Sequence, residues 1–233
     1  VPSTPIYTDY RAEQYQSGTT PATGTSITDS PTYTQTGSCI VASGTEIVAT
    51  SCADNQNPVH RVYKDIGSIS DTAFVLEFDY YPTTVSGADL YPLALQSSTG
   101  ETNTASEDMI YLKLNQGTLT LASKNGGSNT NGNAWLSVSA NTWHYVTIIR
   151  DGNDATMNLY SDSSRQTLTG TTTVDVSSVS SLQYLHSESR GDGGGGTSGW
   201  TLDNIVLYDG VTSTSTPTYS YRNFGDLGYA EDT

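Results

Sequence analysis

The chain has 233 residues, with 9 lysines and arginines against 24 aspartates and glutamates, and its formal net charge is −15. A chain this acidic cannot neutralise a phosphate backbone, so we expect no nucleic acid partner. No apolar run approaches membrane-spanning length, so we expect no membrane insertion. Abundant serine and threonine, together with 16 tyrosines, favour strands with one solvated face. The composition therefore predicts one large β domain.

The first 37 residues are rich in Thr, Ser, Pro and Tyr and contain few large aliphatic residues. We interpret residues 1–37 as an extended N-terminal tail in which residues 6–10 (IYTDY) can form one strand. The chain starts at Val1 rather than at methionine, which suggests that a signal peptide has been removed. These features predict an extracellular protein, secreted or held at the cell surface.

Two cysteines, Cys39 and Cys52, lie in the segment SCIVASGTEIVATSC, which reads as a hairpin around Ser43-Gly44. A hairpin brings its ends together, and export permits oxidation, so we expect a disulfide. The alternative is a pair of reduced, half-buried thiols in a cytosolic protein.

The central segments alternate as strands do. In DTAFVLEFDYY, residues 71–81, the side chains of Phe74, Leu76, Phe78 and Tyr80 form one face. Further strands are predicted at residues 60–66, 90–96, 108–115, 118–123, 182–186 and 200–208. Residues 125–133 (NGGSNTNGN) are predicted to be a loop, because they are polar and rich in glycine.

One hairpin, residues 142–162 (TWHYVTIIRDGNDATMNLYSD), is the clearest element. If the four turn residues DGND form the loop, Ile148 faces Met157 on an apolar side. Tyr145 then faces Tyr160 on the reverse side. Turn chemistry and face polarity thus agree on a hairpin with one side on a core.

Residues 211–233 return to a Ser/Thr/Tyr-rich composition and are interpreted as an extended C-terminal tail. Residues 38–210 then form the domain between the tails. Ten or more strands at this spacing predict an all-β, two-sheet antiparallel sandwich with extended N- and C-terminal tails.

The hairpin TWHYVTIIRDGNDATMNLYSD and the later segment SGWTLDNIVLYDG resemble the paired motifs of laminin G-like domains, including those of archaeal surface proteins. In that order they are similar to the concanavalin A-like lectin/glucanase superfamily, whose fold is a jelly roll. The resemblance covers residues 58–210 and leaves both tails outside. It implies a fold rather than a function, because the same sandwich carries lectins, adhesins, glycanases and structural modules.

Many jelly rolls of this superfamily hold a structural Ca²⁺ where their terminal strands pair. The resemblance therefore implies Asp203 as a metal ligand, with Asp9 as a second one. Backbone carbonyls would complete the six to eight oxygens that Ca²⁺ prefers. The alternative is that Asp203 only satisfies the backbone of a bulge.

Glu77 and Asp79 share one face of their strand and could act as a pair in glycoside cleavage. Laminarinase-like relatives carry Glu-x-Asp-x-x-Glu there, but the third position here is Pro82. We therefore expect no enzymatic activity, and we interpret the two carboxylates as part of a solvated face.

The aromatic residues Tyr145, Tyr160 and Trp135 are candidates for stacking on sugar rings or for contacts between subunits. Three hypotheses follow: a self-assembling surface or filament subunit joined by tail strands, a carbohydrate-binding module or lectin-like adhesin, and a glycan-cleaving enzyme. The β-prone tails favour the first, with copies of the chain itself as partners. Glycans are the partners in the second hypothesis.

Overall fold

The computed structural model describes residues 25–26, 33–43, 46–53, 59–86, 90–101, 107–189 and 196–213. Their regular structure consists of strands, and no helix among them is long and apolar enough to cross a membrane. The strands are β1 Thr25–Ser26, β2 Thr34–Thr36, β3 Ile40–Ser43, β4 Glu46–Ala53, β5 Arg61–Asp65, β6 Ala73–Val85, β7 Tyr91–Gln96, β8 Met109–Asn115, β9 Thr118–Asn125, β10 Ser128–Asn131, β11 Leu136–Ser137, β12 His144–Asp151, β13 Asp154–Tyr160, β14 Leu168–Asp175, β15 Tyr184–Glu188 and β16 Thr197–Asp209.

These strands form two antiparallel sheets of eight strands each. The first sheet runs β14-β13-β12-β6-β16-β4-β3, and β1 pairs with β16 beside it. The second sheet runs β10-β9-β8-β7-β15-β5-β2, and β11 pairs with β9. The predicted all-β jelly-roll sandwich is therefore confirmed.

The core lies between the sheets, and β6 shows how alternate residues of a strand supply it. Phe74, Leu76, Phe78 and Tyr80 on β6 are fully buried, as the alternation of this strand predicts. Burying such a side chain contributes roughly 1.5–3 kcal/mol each. Trp200 of β16 is also fully buried, and its Nε1 donates to Ser187 Oγ at 3.1 Å. The indole is thus placed inside the sandwich without leaving its N–H unpaired.

The predicted hairpin is present as β12 and β13. The observed register pairs Tyr145 with Tyr160, Val146 with Leu159, Ile148 with Met157 and Arg150 with Ala155. Asp151 and Asp154 also pair, so the loop is shorter than the four residues expected. Gly152 takes up the turn with a φ of +61°. This conformation suits glycine because it has no Cβ.

Arg150 lies on the inner face of this hairpin and is 2% exposed. Its Nη2 donates to the carbonyl oxygens of Val176 and Val179, at 3.2 and 2.8 Å. Burial lowers the pKa of Arg150, and the nearby charge of Asp71 opposes that shift. Arg150 thereby satisfies two carbonyl groups of the segment that follows β14.

The cysteine hairpin is formed by β3 and β4, with Ile40 opposite Ala49. A disulfide joins Cys39 and Cys52, whose Cα atoms are 5.5 Å apart. The expected disulfide is therefore present. It ties β4, which pairs with β16, to the residue that precedes edge strand β3.

Part of the predicted N-terminal tail belongs to the sandwich. Thr25 and Ser26 pair with β16, and β2 pairs with β5. The segment 1–37 thus adds a strand to each sheet, because β16 and β5 have backbone groups free to pair beside their main partners. The segments proposed to join subunits, residues 5–10 and 218–222, lie outside the described residues, so that prediction stays a prediction.

The prediction of a loop at residues 125–133 was wrong, and β14 was not predicted at all. Residues 128–131 form β10, which turns back on β9 through Gly126 and Gly127 at φ +52° and +106°. The polar sequence misled because both faces of this edge strand are exposed. β14 is a threonine-rich edge strand with few apolar residues to mark it. Edge strands of this kind lack the alternation on which sequence patterns depend.

His186 of β15 gives the fold an expected pH dependence. It is 1% exposed, stacks on Tyr63 with ring centroids 5.3 Å apart, and has Nε2 3.1 Å from the carbonyl oxygen of Ser98. Burial, with a smaller contribution from the charge of Arg61, lowers the pKa of His186 from 6.5 to about 3. The unfolded chain therefore binds a proton that the folded chain does not, between pH 6.5 and about 3.

We expect stability to fall as the pH drops through this window, by about 2 kcal/mol between pH 7 and pH 5. Urea unfolding at several pH values measures this slope, and His186→Gln should flatten it. His144→Gln is the control. Burial also lowers the pKa of His144, but this histidine is only half-buried, so its replacement should change the slope less. An unchanged slope in His186→Gln would contradict the assignment.

Candidate functional site

The candidate site lies on the outer face of the first sheet, opposite the core. Tyr145 of β12 pairs with Tyr160 of β13 on one side and with Asp79 of β6 on the other. Both tyrosines are half-buried, so each keeps part of its surface in solvent. The sequence predicted this pairing from the hairpin register.

A second aromatic pair lies beside the first on the same face. Trp143, 39% exposed, packs on Tyr81 with ring centroids 5.0 Å apart and planes at 42°. Tyr81 is two positions from Asp79 along β6, so its side chain shares that face, and Trp143, just before β12, packs against it there. We call the surface formed by Tyr81, Trp143, Tyr145 and Tyr160 the aromatic platform.

The third predicted aromatic residue does not join the platform. Trp135 is 41% exposed but directly precedes β11, which pairs with β9 of the second sheet. Trp143 takes its place in the site. The sequence-based candidates did not include Trp143, which directly precedes β12.

A hydrogen-bonded carboxylate borders the platform. Arg165 Nη2 donates to Asp79 Oδ1 at 2.9 Å, and Asn204 Nδ2 donates to Asp79 Oδ2 at 2.8 Å. The Arg165 guanidinium also lies over the Tyr145 ring, 6.0 Å from its centroid. Charge-assisted bonds of this kind are stronger than neutral ones, so Asp79 and Arg165 hold each other in a defined place against the aromatic surface.

Both donors to Asp79 come from residues with a left-handed backbone. Arg165 has φ +53° in the loop after β13, and Asn204 has φ +51° at an irregularity in β16 between Asp203 and Val206. This region is uncommon for residues other than glycine and clusters at functional sites. Bulges similarly redirect side chains beside binding sites. Neither residue could be selected from sequence, because the pairing with Asp79 spans 86 and 125 positions.

Asp162 holds the loop that presents Arg165. Its Oδ1 accepts from Ser164 Oγ and from the amide of Gln166, and its Oδ2 accepts from the amide of Thr167 at 2.6 Å. Its backbone carbonyl accepts from the amide of Arg165 at 3.0 Å. The bond from Ser164, followed by that from Thr167, lowers the pKa of Asp162. One side chain thus organises the turn by the bonding that aspartate favours in loops.

If the platform binds glycans, as one of the hypotheses from the sequence holds, Asp162→Ala should loosen this loop and weaken that binding by about tenfold, because Arg165 would lose its fixed position. Calorimetric titration with a glycan ligand would measure the effect. Asp175→Ala is a matched control, because the Asp175 carboxylate likewise accepts a backbone amide, that of Ser177, and has a lowered pKa. Asp175 is the last residue of β14, opposite Asp154 and at the other end of the strand pair from Tyr160. Equal effects of the two substitutions would show that Asp162 has only a structural role.

The two carboxylates considered for catalysis have different surroundings. Both oxygens of Asp79 accept hydrogen bonds, one of them within an ion pair, and Pro82 is buried. Glu77 is half-buried, and its charge helps burial to raise the pKa of Tyr208. Protein donors thus already occupy both oxygens of Asp79. This geometry suits binding better than acid–base chemistry.

The described residues contain no group of three or more His, Cys, Asp or Glu that could hold a metal ion. Asp203 Oδ1 accepts the amide of Asn204 at 2.8 Å, which agrees with the alternative that it satisfies a bulge backbone. Asp9, the other expected ligand, lies outside the described residues. These residues alone do not fit a Ca²⁺ shell, which needs six to eight oxygens.

Calcium binding therefore stays a prediction with a direct test. If Ca²⁺ binds the folded chain, a chelator should lower the melting temperature, because a ligand of the native state stabilises it by mass action. Asp203→Asn should abolish that response and leave the melting temperature in chelator unchanged. Identical melting curves with and without chelator would refute Ca²⁺ binding.

Comparison with known proteins supports the assignment of a laminin G-like jelly-roll sandwich. Residues 94–185 match the family model of the laminin G domain, which confirms the resemblance seen in the sequence. A search of curated proteins found no match.

Two solved structures share the fold at low identity. One comes from work on endo-acting O-glycanases that members of the human gut microbiota express to initiate mucin breakdown. It is 10% identical to this chain and has a TM-score of 0.54, and the match covers 82% of this chain and 99% of that one. The other is of botulinum neurotoxin type C, which depends on interaction with two ganglioside molecules to enter cells; it is 10% identical, with a TM-score of 0.51 over 76% of this chain and 42% of that one. The chain thus spans about two-fifths of the neurotoxin structure.

Proposed function

We propose that this chain is an extracellular, non-enzymatic carbohydrate-binding domain whose binding surface is the aromatic platform. The observation that carries the proposal is the set of four aromatic side chains around the paired Arg165 and Asp79 on one sheet face. Aromatic rings offer flat apolar surfaces on which the C–H faces of sugars can stack. Fixed polar groups beside them can bond to hydroxyls and set the orientation of the ligand.

Three further observations support the proposal. The laminin G match and a fold shared with a ganglioside-dependent toxin are compatible with glycan binding. The disulfide between Cys39 and Cys52 suits an oxidising, extracellular environment. The hydrogen bonds to both oxygens of Asp79 favour binding over cleavage, even though a structure from a study of O-glycanases shares the fold.

The test is a glycan array followed by calorimetric titration with the ligands it reveals. Trp143→Ala should abolish or strongly weaken binding, because it removes the most exposed ring of the platform. Trp135→Ala is a matched control, since the two tryptophans are 39% and 41% exposed but belong to different sheets. Binding that is lost in Trp135→Ala and kept in Trp143→Ala would place the site on the second sheet. A blank array would overturn the proposal.

Self-assembly through tail strands is the competing prediction, and it needs an open sheet edge to receive a strand. At β14 the backbone of Thr173 is already occupied, since its amide donates to Asn133 Oδ1 and its carbonyl accepts from the Asn133 amide, both at 3.0 Å. Such blocking of an edge disfavours strand addition there. Filaments in electron micrographs of the purified chain, together with a blank array, would favour self-assembly over glycan binding.

A further inference from the structure

We propose that the aromatic platform selects uncharged glycans and rejects those that carry carboxylate or sulfate groups. This inference rests on the proposed function and names the ligand class of the same site. It starts from the unequal distribution of charge between the two sheets.

The cations of the described residues are concentrated on the second sheet. Arg61 and Lys64 lie on β5, Lys113 on β8 and Lys124 on β9. Arg150 belongs to the first sheet but is buried against the core. Within the described part of the chain, this leaves Arg165 as the cation of the platform.

Arg165 is already committed to a protein carboxylate. Its Nη2 bonds Asp79 at 2.9 Å, and the two side chains are only 20% and 14% exposed. An acidic sugar would either share the guanidinium, which places a second negative charge beside Asp79, or replace Asp79 as the partner of Arg165. That exchange would leave a half-buried carboxylate without its counter-ion, which is unfavourable.

Carboxylates continue beyond Asp79 across the same face. Asp203 of β16 pairs with Asp79 on one side and with Glu46 of β4 on the other. Glu77 lies two positions from Asp79 on β6, on the same face. Among the described residues, this face carries four carboxylates and one guanidinium, an excess of negative charge that repels an anionic ligand.

The same groups suit hydroxyls well. A carboxylate oxygen has two lone pairs, so each Asp79 oxygen can accept a further bond besides those from Arg165 and Asn204. Arg165 has five N–H donors and can bond a ligand hydroxyl while it keeps Asp79. One sugar hydroxyl can therefore donate to Asp79 and its neighbour can accept from Arg165. This pattern recognises neutral, hydroxyl-rich sugars.

The experiment compares matched pairs of glycans on an array, each pair differing only by a sialic acid, uronic acid or sulfate group. We expect the bound members to be neutral and the acidic group to weaken binding by about tenfold or more at low salt. Salt should narrow the difference by screening the repulsion, and it should leave the neutral affinity nearly unchanged. Glu46→Gln combined with Asp203→Asn should reduce the preference, because it removes two like charges beside the site and keeps the side-chain shapes.

Three outcomes would overturn the inference. If acidic glycans bind better than their neutral partners and Trp143→Ala abolishes that binding, the chain binds glycans at the platform with the opposite selectivity. If acidic glycans bind and only Arg61→Gln or Lys64→Gln abolishes the binding, the site lies on the second sheet. If no glycan binds, the proposed function fails together with its specificity.

Discussion

The double substitution Tyr145→Ala with Tyr160→Ala should weaken glycan binding about 100-fold. The two residues oppose each other across β12 and β13, and both keep part of their surface in solvent. An aromatic contact of this kind contributes roughly 0.5–1.5 kcal/mol beyond its buried area, so two such contacts together approach a 100-fold change in affinity. Tyr145 also supports the guanidinium of Arg165, which would lose that contact.

Calorimetric titration of a glycan found on the array measures this loss. The corresponding phenylalanine pair is the control, since it keeps both rings and should retain most of the affinity. Neither substitution reaches the core, because the inner face of the hairpin is formed by Val146, Ile148, Met157 and Leu159. Urea unfolding should therefore show a folded protein destabilised by about 1 kcal/mol, the usual scale of a cross-strand pair. If the double alanine variant binds glycans as tightly as the native chain, the aromatic platform is not the binding site.

Removing the disulfide, by Cys39→Ser with Cys52→Ser, should lower the free energy of unfolding by about 3 kcal/mol in the chain-entropy model. The two cysteines are separated by 13 positions, so the bridge restricts a short loop of the unfolded chain. For a domain of this size the melting temperature should fall by about 6–12 °C. Urea unfolding without reductant measures the difference, and reductant should destabilise the native chain by a similar amount.

This substitution should leave glycan affinity unchanged. In the first sheet, β4 and β16 separate the edge strand β3 from β6, which carries Asp79. The cysteine double variant is thus expected to lose stability but keep its affinity. The tyrosine double variant is expected to lose affinity with little loss of stability. Two alkylatable thiols in the untreated native protein would contradict the disulfide.

The fold explains why function has to be argued from the site. The same sandwich is found in a neurotoxin that depends on gangliosides for cell entry and in a structure from a study of O-glycanases. Both are 10% identical to this chain. In this chain the relevant residue is Asp79, whose two oxygens accept hydrogen bonds from Arg165 and Asn204. A carboxylate fixed in this way can orient a ligand, and this is the basis of the proposed binding role.

The sequence by itself determined those features that depend on neighbours along the chain. Alternation in β6 and β12, the turn at Gly152 and the short distance between Cys39 and Cys52 predicted strands, register and disulfide. Local patterns suffice there, because side chains alternate with period two and hairpins pair residues close in sequence. The opposition of Tyr145 and Tyr160 followed from the same rule.

Only the tertiary structure decided which distant residues complete the site. Arg165 and Asn204 reach Asp79 because a loop held by Asp162 and an irregularity in β16 bring them to the same face. The exclusion of Trp135 and the inclusion of Trp143 likewise depend on which sheet each segment joins. Pairing between strands far apart in sequence is set by the packing of the whole sandwich, and no local pattern of residues encodes it.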